Sequence, residues 1–364
     1  MQEKIPKYKK VKQEIIKLIK QKGLTPGDSI PTEAELSELF AVSRNTVRLA
    51  VDELVYAELL ERRQGSGTYI VEKKTQDNES GRLIGVVHHS ITDNIYPHVI
   101  RGIDESLHNQ GYSMVLSTSN RDKKREIINI KRLLKERIKG LILEPYASAS
   151  ISASDELVKI ITDASIPVVL IHCELPFLSL SSVNIDDWKT GYQAASYLIE
   201  RGHKHIGCIY KKNTQAGTER FKGFLQAIKD NGLKENPDYY ASFLEKDEHG
   251  NPGASLALQM ASLSSPPTAI FFYNDETAIK GIMALIKKGI RIPEDISVIG
   301  HDDLPQSAIT NPPLTTFSHP KDILGRWAAD LVIQEINDPF SIPKAIRARS
   351  TLIERKSVKN MGQS

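Results

Sequence analysis

From residue 83 onward, short aliphatic runs alternate with segments of helical apolar periodicity, and this alternation restricts the fold more than any other feature of the chain. Strand-like runs at 83–87, 113–117, 140–143 and 168–171 are separated by helical patterns at 99–109, 125–136 and 156–164. A second series follows Asp187: helix 190–201, strand 206–210, helix 219–231, strand 269–273, helix 276–288 and strand 297–300. Strand–helix–strand wiring requires a parallel sheet covered by helices. Two such series predict two α/β lobes with a cleft between them, and ligands of such sheets collect at the carboxyl ends of the strands.

The first 71 residues read differently. Tyr8, Val11, Ile15, Leu18 and Ile19 recur at three- and four-residue steps, predicting an amphipathic helix that ends at Gly23. Thr32 and Glu35 form a capping box for a second helix whose buried stripe is Leu36, Leu39 and Phe40. Ser43 caps a third helix that buries Val47, Ala50, Val51 and Leu54 and leaves Arg44, Asn45 and Arg48 outward. Runs at 60–63 and 68–71, joined by Gln64-Gly65-Ser66-Gly67, predict a hairpin. A short helix turning tightly into a longer one, followed by a hairpin, is a winged helix-turn-helix. Such a fold lays the third helix in the major groove of DNA, where arginine pairs with guanine and asparagine with adenine. Arg44 and Arg48 are the expected base readers; Asn45 reads a base, meets a phosphate or starts the helix. Charge fits this reading. Net charge is only +3, but up to Gly23 eight lysines face two glutamates, and Lys7, Tyr8, Lys9 and Lys10 are expected at phosphates.

Residues 72–81, EKKTQDNESG, contain no large apolar side chain and read as a flexible linker between a head (1–71) and a body (82–364). No apolar run approaches the roughly 18 residues that span a bilayer, and the N-terminal residues lack the apolar stretch of a secretory signal, so a cytoplasmic protein is expected. Cys173 and Cys208 sit beside apolar runs and read as reduced core thiols.

The segment IPTEAELSELFAVSRNTVRLAVDELVYAELLERRQGSGTYI resembles the GntR family, with its second helix, its Ser-Arg-x-Thr-Val-Arg recognition helix and its glycine-rich wing. The resemblance implies DNA contacts from Ser43, Arg44, Asn45, Thr46 and Arg48 and from Gln64 and Gly65. Many members carry arginine where this chain has Ala34, so a contact is lost there; Glu33 either accepts from a cytosine amine or favours the helix start by its charge. The body, through LIGVV, IRGIDESLHNQGYSMVLS, RFKGFLQAI, TAIFFYNDETAIKGI and IPEDISVIGHDDLPQSAITNPPLTTFSHP, is similar to the LacI/GalR effector domain and to type I periplasmic sugar-binding proteins. The implied fold class is therefore α/β, an N-terminal winged helix-turn-helix plus a two-lobed periplasmic-binding-protein-like (type I) effector domain. IYPHVIRGI, FYNDE and SHPKDILG resemble the arabinose-operon repressors of Gram-positive bacteria. That resemblance alone implies L-arabinose as effector.

Carried over by position, the resemblance implies an effector site with Arg220, Asn274 and Asp302, whose planar groups suit adjacent hydroxyls. Asp275 is expected to cap the following helix. His319 either meets ligand or braces the lobe crossover; Tyr96 and Glu144 follow the first and third body strands, where ligand or structure can claim them. The body departs from the usual Gly-Tyr-Asp-Asp turn with His301, which either alters the pocket edge or is a surface histidine. The linker also lacks the minor-groove helix of sugar repressors, leaving DNA contact to the head.

An enzyme is the rival from another class. Against it, the chain has no Gly-x-Gly-x-x-Gly after a strand, no phosphate loop and no His-Glu-x-x-His. The larger body and cofactor lysine of a pyridoxal-phosphate fusion are also missing. No cofactor is expected, and His203 and His205 lack companions for a metal. A transport or chemotaxis sugar-binding protein would need export. The expected function is a homodimeric repressor that reads a near-palindromic operator and is released when a small sugar, L-arabinose or another monosaccharide, closes the cleft.

Overall fold

The computed structural model describes residues 7–56, 59–63, 65–71, 82–90 and 94–362. The head consists of α1 (Lys7–Gln21), α2 (Glu33–Leu39), α3 (Arg44–Tyr56) and the antiparallel hairpin β1 (Leu60–Arg63) with β2 (Gly67–Ile70). Its core joins Val11, Ile15 and Ile19 of α1 to Leu36 of α2 and to Val47, Ala50, Val51 and Leu54 of α3. The expected stripe on α2 is one residue too wide. Leu39 is 58% exposed, because α2 ends there and the chain reverses through Ala41 at φ 50°.

The first lobe is built from β3 (Leu83–His88), α4 (Tyr96–Asn109), β4 (Ser113–Thr118), α5 (Lys123–Lys135), β5 (Gly140–Leu143), α6 (Glu156–Asp163), β6 (Val168–Ile171) and β7 (Ser181–Ile185). The second contains α7 (Asp187–Glu200), β8 (Ile206–Lys211), α8 (Gln215–Asp230), β9 (Tyr240–Phe243), α9 (Pro252–Ala261), β10 (Ala269–Phe272), α10 (Asp275–Lys287), β11 (Ser297–Ile299), α11 (Pro305–Ile309) and β12 (Thr316–Phe317). The chain then returns to the first lobe as α12 (Lys321–Asn337) and β13 (Ala345–Ala348) and crosses again to β14 (Leu352–Ile353), which pairs with β12. Strand order is β13-β7-β6-β5-β3-β4 in the first lobe and β11-β10-β8-β9 in the second, all parallel.

Two parallel sheets and three crossings, at β7–α7, β12–α12 and β13–β14, are the layout of a hinged two-lobed binding domain. Parallel strands are buried on both faces by their crossover helices, and β5, β6, β10 and β11 are buried at every residue. The strand–helix alternation read from the sequence missed β7, β9, β12, β13 and β14. β12 and β14 have only two residues each, and SSVNI in β7 has the composition of a loop, yet every residue of β7 is buried because β6 and β13 flank it. No helix among the described residues is long and apolar enough to cross a membrane.

Candidate functional sites: the winged head and the interlobe cleft

In the head, Ser43 Oγ accepts from the Thr46 amide at 3.2 Å and starts α3, and Arg44, Asn45 and Arg48 stand exposed on its first turns. Glu33 lies between two cations: its carboxylate meets Arg48 Nε at 3.5 Å and Arg62 Nη2 at 2.8 Å. Arg62 also pairs with Asp52 at 2.5 Å, so two acids and two arginines tie α2, α3 and the wing together. This favours the helix-start and bracing role for Glu33 over cytosine readout. Arg62 and Arg63 were not singled out by sequence reasoning, although the Glu-Arg-Arg run before the wing turn carried the signal; Arg63 lies over the Tyr69 ring at 4.3 Å. Lys7 and Lys10 are exposed, while Tyr8 is partly buried. Gly65 is exposed at the wing tip with φ 73°. Gln64 and the linker 72–81 lie outside the described residues.

In the body, the carboxyl ends of β3, β5, β8 and β10 and the crossings converge on one cleft, which Tyr96, Glu144, Arg220, Asn274, Asp302 and His319 all line. Arg220 reaches it from α8. Its Nε donates to Asp187 Oδ1 at 2.7 Å and its Nη1 to the Tyr273 carbonyl at 2.7 Å, so the guanidinium is fixed before any ligand arrives. Tyr96 donates from its hydroxyl to Glu144 Oε1 at 2.9 Å. Glu144 Oε2 accepts from His88 Nε2 at 2.6 Å and from His172 Nδ1 at 2.8 Å. Burial alone would raise the Glu144 carboxyl, but His172 and His88 outweigh it and hold it well below the usual range.

His88, His89 and Glu144 are the one group of described residues with metal-ligand spacing. The tautomer argues against an ion. The Ser90 amide donates to His88 Nδ1 at 2.9 Å, so Nε2 carries the hydrogen that Glu144 accepts and has no lone pair to offer. His89 Nε2 meets Glu245 Oε1 at 2.8 Å. Burial lowers the His89 pKa, but Glu245 and Glu144 reverse this and push it up to about 9. Glu245 itself, raised by burial and lowered more strongly by His89 and Lys211, falls to about 2.

This pair predicts a pH response. The folded-state pKa of His89 exceeds the ordinary value near 6.5, so its contribution to stability is complete below about pH 6.5 and is lost as pH rises through 9. Melting the wild type between pH 7 and 9 should show a loss on the order of 2 kcal/mol, and His89→Gln should flatten that slope.

Residues 82–360 match the family of periplasmic binding proteins and the sugar binding domain of LacI family, and residues 7–70 match the bacterial regulatory proteins of the gntR family. The chain belongs to the LacI family of regulators and carries a GntR head. Over 99% of its length it is 34% identical to the arabinose metabolism transcriptional repressor of Geobacillus stearothermophilus, covering 100% of that protein. The repressor of the same description from Halalkalibacterium halodurans is 32% identical, with 97% and 95% of the two chains covered. Transcription regulator CcpA of Lactococcus lactis shares the body fold with a TM-score of 0.69 at 23% identity, covering 77% of this chain and 100% of that one. The protein is thus a sugar-responsive repressor of the LacI and GntR families and not an enzyme.

Two details of this LacI-type body differ from the reading of its sequence. Asn274, not Asp275, caps α10: its Oδ1 accepts from the Thr277 amide at 3.0 Å in a capping box, and it still borders the cleft. Asp275 is fully buried and accepts from the Leu304 amide (3.0 Å), Ser307 Oγ (2.6 Å) and Thr316 Oγ1 (2.5 Å), tying α10 to the crossing strand. His301 is no surface residue. It is fully buried, with Nδ1 at 2.8 Å from Asp302 Oδ1, and burial holds its pKa well below the ordinary value. Asp302 sits at φ 119°, and burial pushes its carboxyl up to about 6 although Arg220 and Lys321 oppose the shift.

His203 and His205 serve structure. His203 bonds Thr268 Oγ1 at 2.9 Å and His205 the Tyr239 hydroxyl at 3.1 Å. Sequence reasoning did not single out His89, His172, Asp187, Lys211 or Glu245 for the cleft. Asp187 opens the first helix after a crossing and Lys211 ends β8, and those positions were the available signal.

Proposed function

We propose that the protein represses arabinose-utilisation genes and leaves its operator when L-arabinose binds between the lobes. The observation that carries this reading is the likeness, along nearly the whole chain, to two arabinose metabolism transcriptional repressors. The chemistry of the cleft supports a neutral polyol. His89 Nδ1, His172 Nε2 and His319 Nδ1 are buried ring nitrogens without a hydrogen-bond partner, and all three residues line the cleft. Buried polar atoms call for partners, and a hydroxyl can accept from a ring nitrogen that carries a proton or donate to one that does not. Arg220 and His89 are already matched by Asp187 and Glu245, and Glu144 and Asp302 add acid. No surplus of positive charge remains to attract a sugar acid or phosphate.

Coupling to the head has a physical route besides the linker. The α12 helix begins beside the cleft, where Lys321 Nζ donates to the Asp302 carbonyl. Just past its far end, Phe340 packs against the head core and Asp338 lies 3.5 Å from Lys20 Nζ. Lobe closure that moves α12 therefore moves the seat of the head. A homodimer in the cytoplasm completes the reading: α10 and α11 leave Met283, Ile286 and Ile309 exposed at 66%, 44% and 83%, apolar surface of the kind a second copy covers.

Calorimetric titration of the full chain with L-arabinose and a panel of monosaccharides, free and bound to library-selected DNA, tests this. Arabinose should bind, and DNA should weaken it by roughly 5- to 150-fold because coupling is reciprocal. Binding of a different monosaccharide only would remove arabinose. On the DNA side, Arg48→Ala should cost about 1–3 kcal/mol and relax preference at one base pair, whereas Lys10→Ala should weaken all sequences alike in a salt-dependent binding assay.

A further inference from the structure

The cleft does not end at Arg220. Beyond the Arg220–Asp187 ion pair it opens into an outer chamber that shares His172, Ile185 and Asp187 with the inner one and extends toward the β7–β13 edge of the first lobe. The outer chamber is a cavity of about 260 Å³, roomy enough for a sugar ring.

Its walls are built for something polar. Asn184 on β7 is 6% exposed; its Nδ2 donates to Glu174 Oε1 at 3.2 Å and Ser182 Oγ at 3.1 Å, but its Oδ1 has no hydrogen-bond partner. A buried amide oxygen left unpaired is costly unless an outside donor reaches it. Glu174 is held by Arg347 through two nitrogens at 2.9 and 3.0 Å, which fixes its carboxylate. Trp188, on the first turn of α7, is 40% exposed and stacks on Tyr192 at 5.3 Å and 19°, so its indole forms a braced, open platform. Glu174, Asp186, Asp187 and Glu219 outnumber Arg347, which disfavours any anion. A flat aromatic face beside fixed acceptors is the chemistry that recognises a neutral polyhydroxylated ring: C–H faces lie on the indole and hydroxyls donate to amide and carboxylate oxygens.

We infer that the outer chamber is a second sugar subsite, so that the repressor also takes a disaccharide whose second ring rests on Trp188. This depends on the reading of the inner cleft as a pentose site. The experiment compares L-arabinose with α-1,5-linked L-arabinobiose on the full chain. The sequence holds two tryptophans, and the other, Trp327, is partly buried against the first-lobe core. Arabinobiose should therefore shift tryptophan emission, and Trp188→Phe should abolish the shift. By calorimetry Trp188→Ala should weaken arabinobiose about tenfold and leave arabinose unchanged. Arabinose binding with no arabinobiose binding, or equal arabinobiose affinity in wild type and Trp188→Ala, overturns the second subsite alone. Silence toward both sugars overturns it together with the arabinose reading.

Discussion

Arg220→Ala should abolish measurable sugar binding in calorimetry and at the same time lower the stability of the chain by roughly 3–5 kcal/mol, because it strands a buried carboxylate. Asp187 is 8% exposed and its hydrogen-bonded partner is the Arg220 Nε–H. Burial already raises the Asp187 pKa against the pull of Arg220, so without the guanidinium the carboxylate must take up a proton or draw in water. Two of the guanidinium nitrogens are spent on Asp187 and on the Tyr273 carbonyl, and among the described residues Nη2 has no protein partner. That is the atom a hydroxyl would meet. The double variant Arg220→Ala/Asp187→Ala separates the two effects: a double-mutant cycle in urea should recover much of the stability while sugar binding stays absent. Arg220→Lys should not rescue binding, since an ammonium cannot span three acceptors in a plane.

Gly191→Ala should unfold the second lobe at a temperature many degrees below wild type, by about 3 kcal/mol or more. In α7 and α8 the backbones touch. A Cβ on Gly191 would lie 1.8 Å from the Arg220 carbonyl oxygen, and one on Gly223 1.8 Å from that of Trp188. Neither obstacle is the flexible end of a side chain, so the helices themselves must separate. They carry Asp187 and Arg220, and a separation on the order of 1 Å breaks a 2.7 Å hydrogen bond. Sugar affinity should therefore fall with stability. Gly250→Ala, where an added methyl meets nothing within 4 Å, is the control and should melt with the wild type.

The Asn274-Asp275 pair shows where reading the residues stops. Either side chain can cap a helix, and the dipeptide does not say which. The choice falls on Asn274 because the α11 turn presents the Leu304 amide and the Ser307 hydroxyl to Asp275 from 29 and 32 residues away. His301 is a similar case: in a Gly-His-Asp-Asp turn it reads as a pocket-edge or a surface histidine, and the structure buries it completely, its ring against Asp302, Ser350 and His319. The cleft residues that were missed contribute through pairing. His89 gains meaning from Glu245, 156 residues away, and no local pattern marks either one.

Local chemistry by itself determined the head, since capping boxes, a three- to four-residue apolar rhythm and a glycine turn act within one or two turns of chain, and α1, α3 and the hairpin follow from them. It also determined the alternating wiring of the two lobes, because strands buried on both faces read mostly as apolar runs. Only the tertiary structure decided the polar strand β7, which β6 and β13 flank, and the charge state of the cleft. Desolvation and ion pairing depend on which groups lie within a few ångströms, and in this fold those groups come from both lobes and from crossings far apart in the chain.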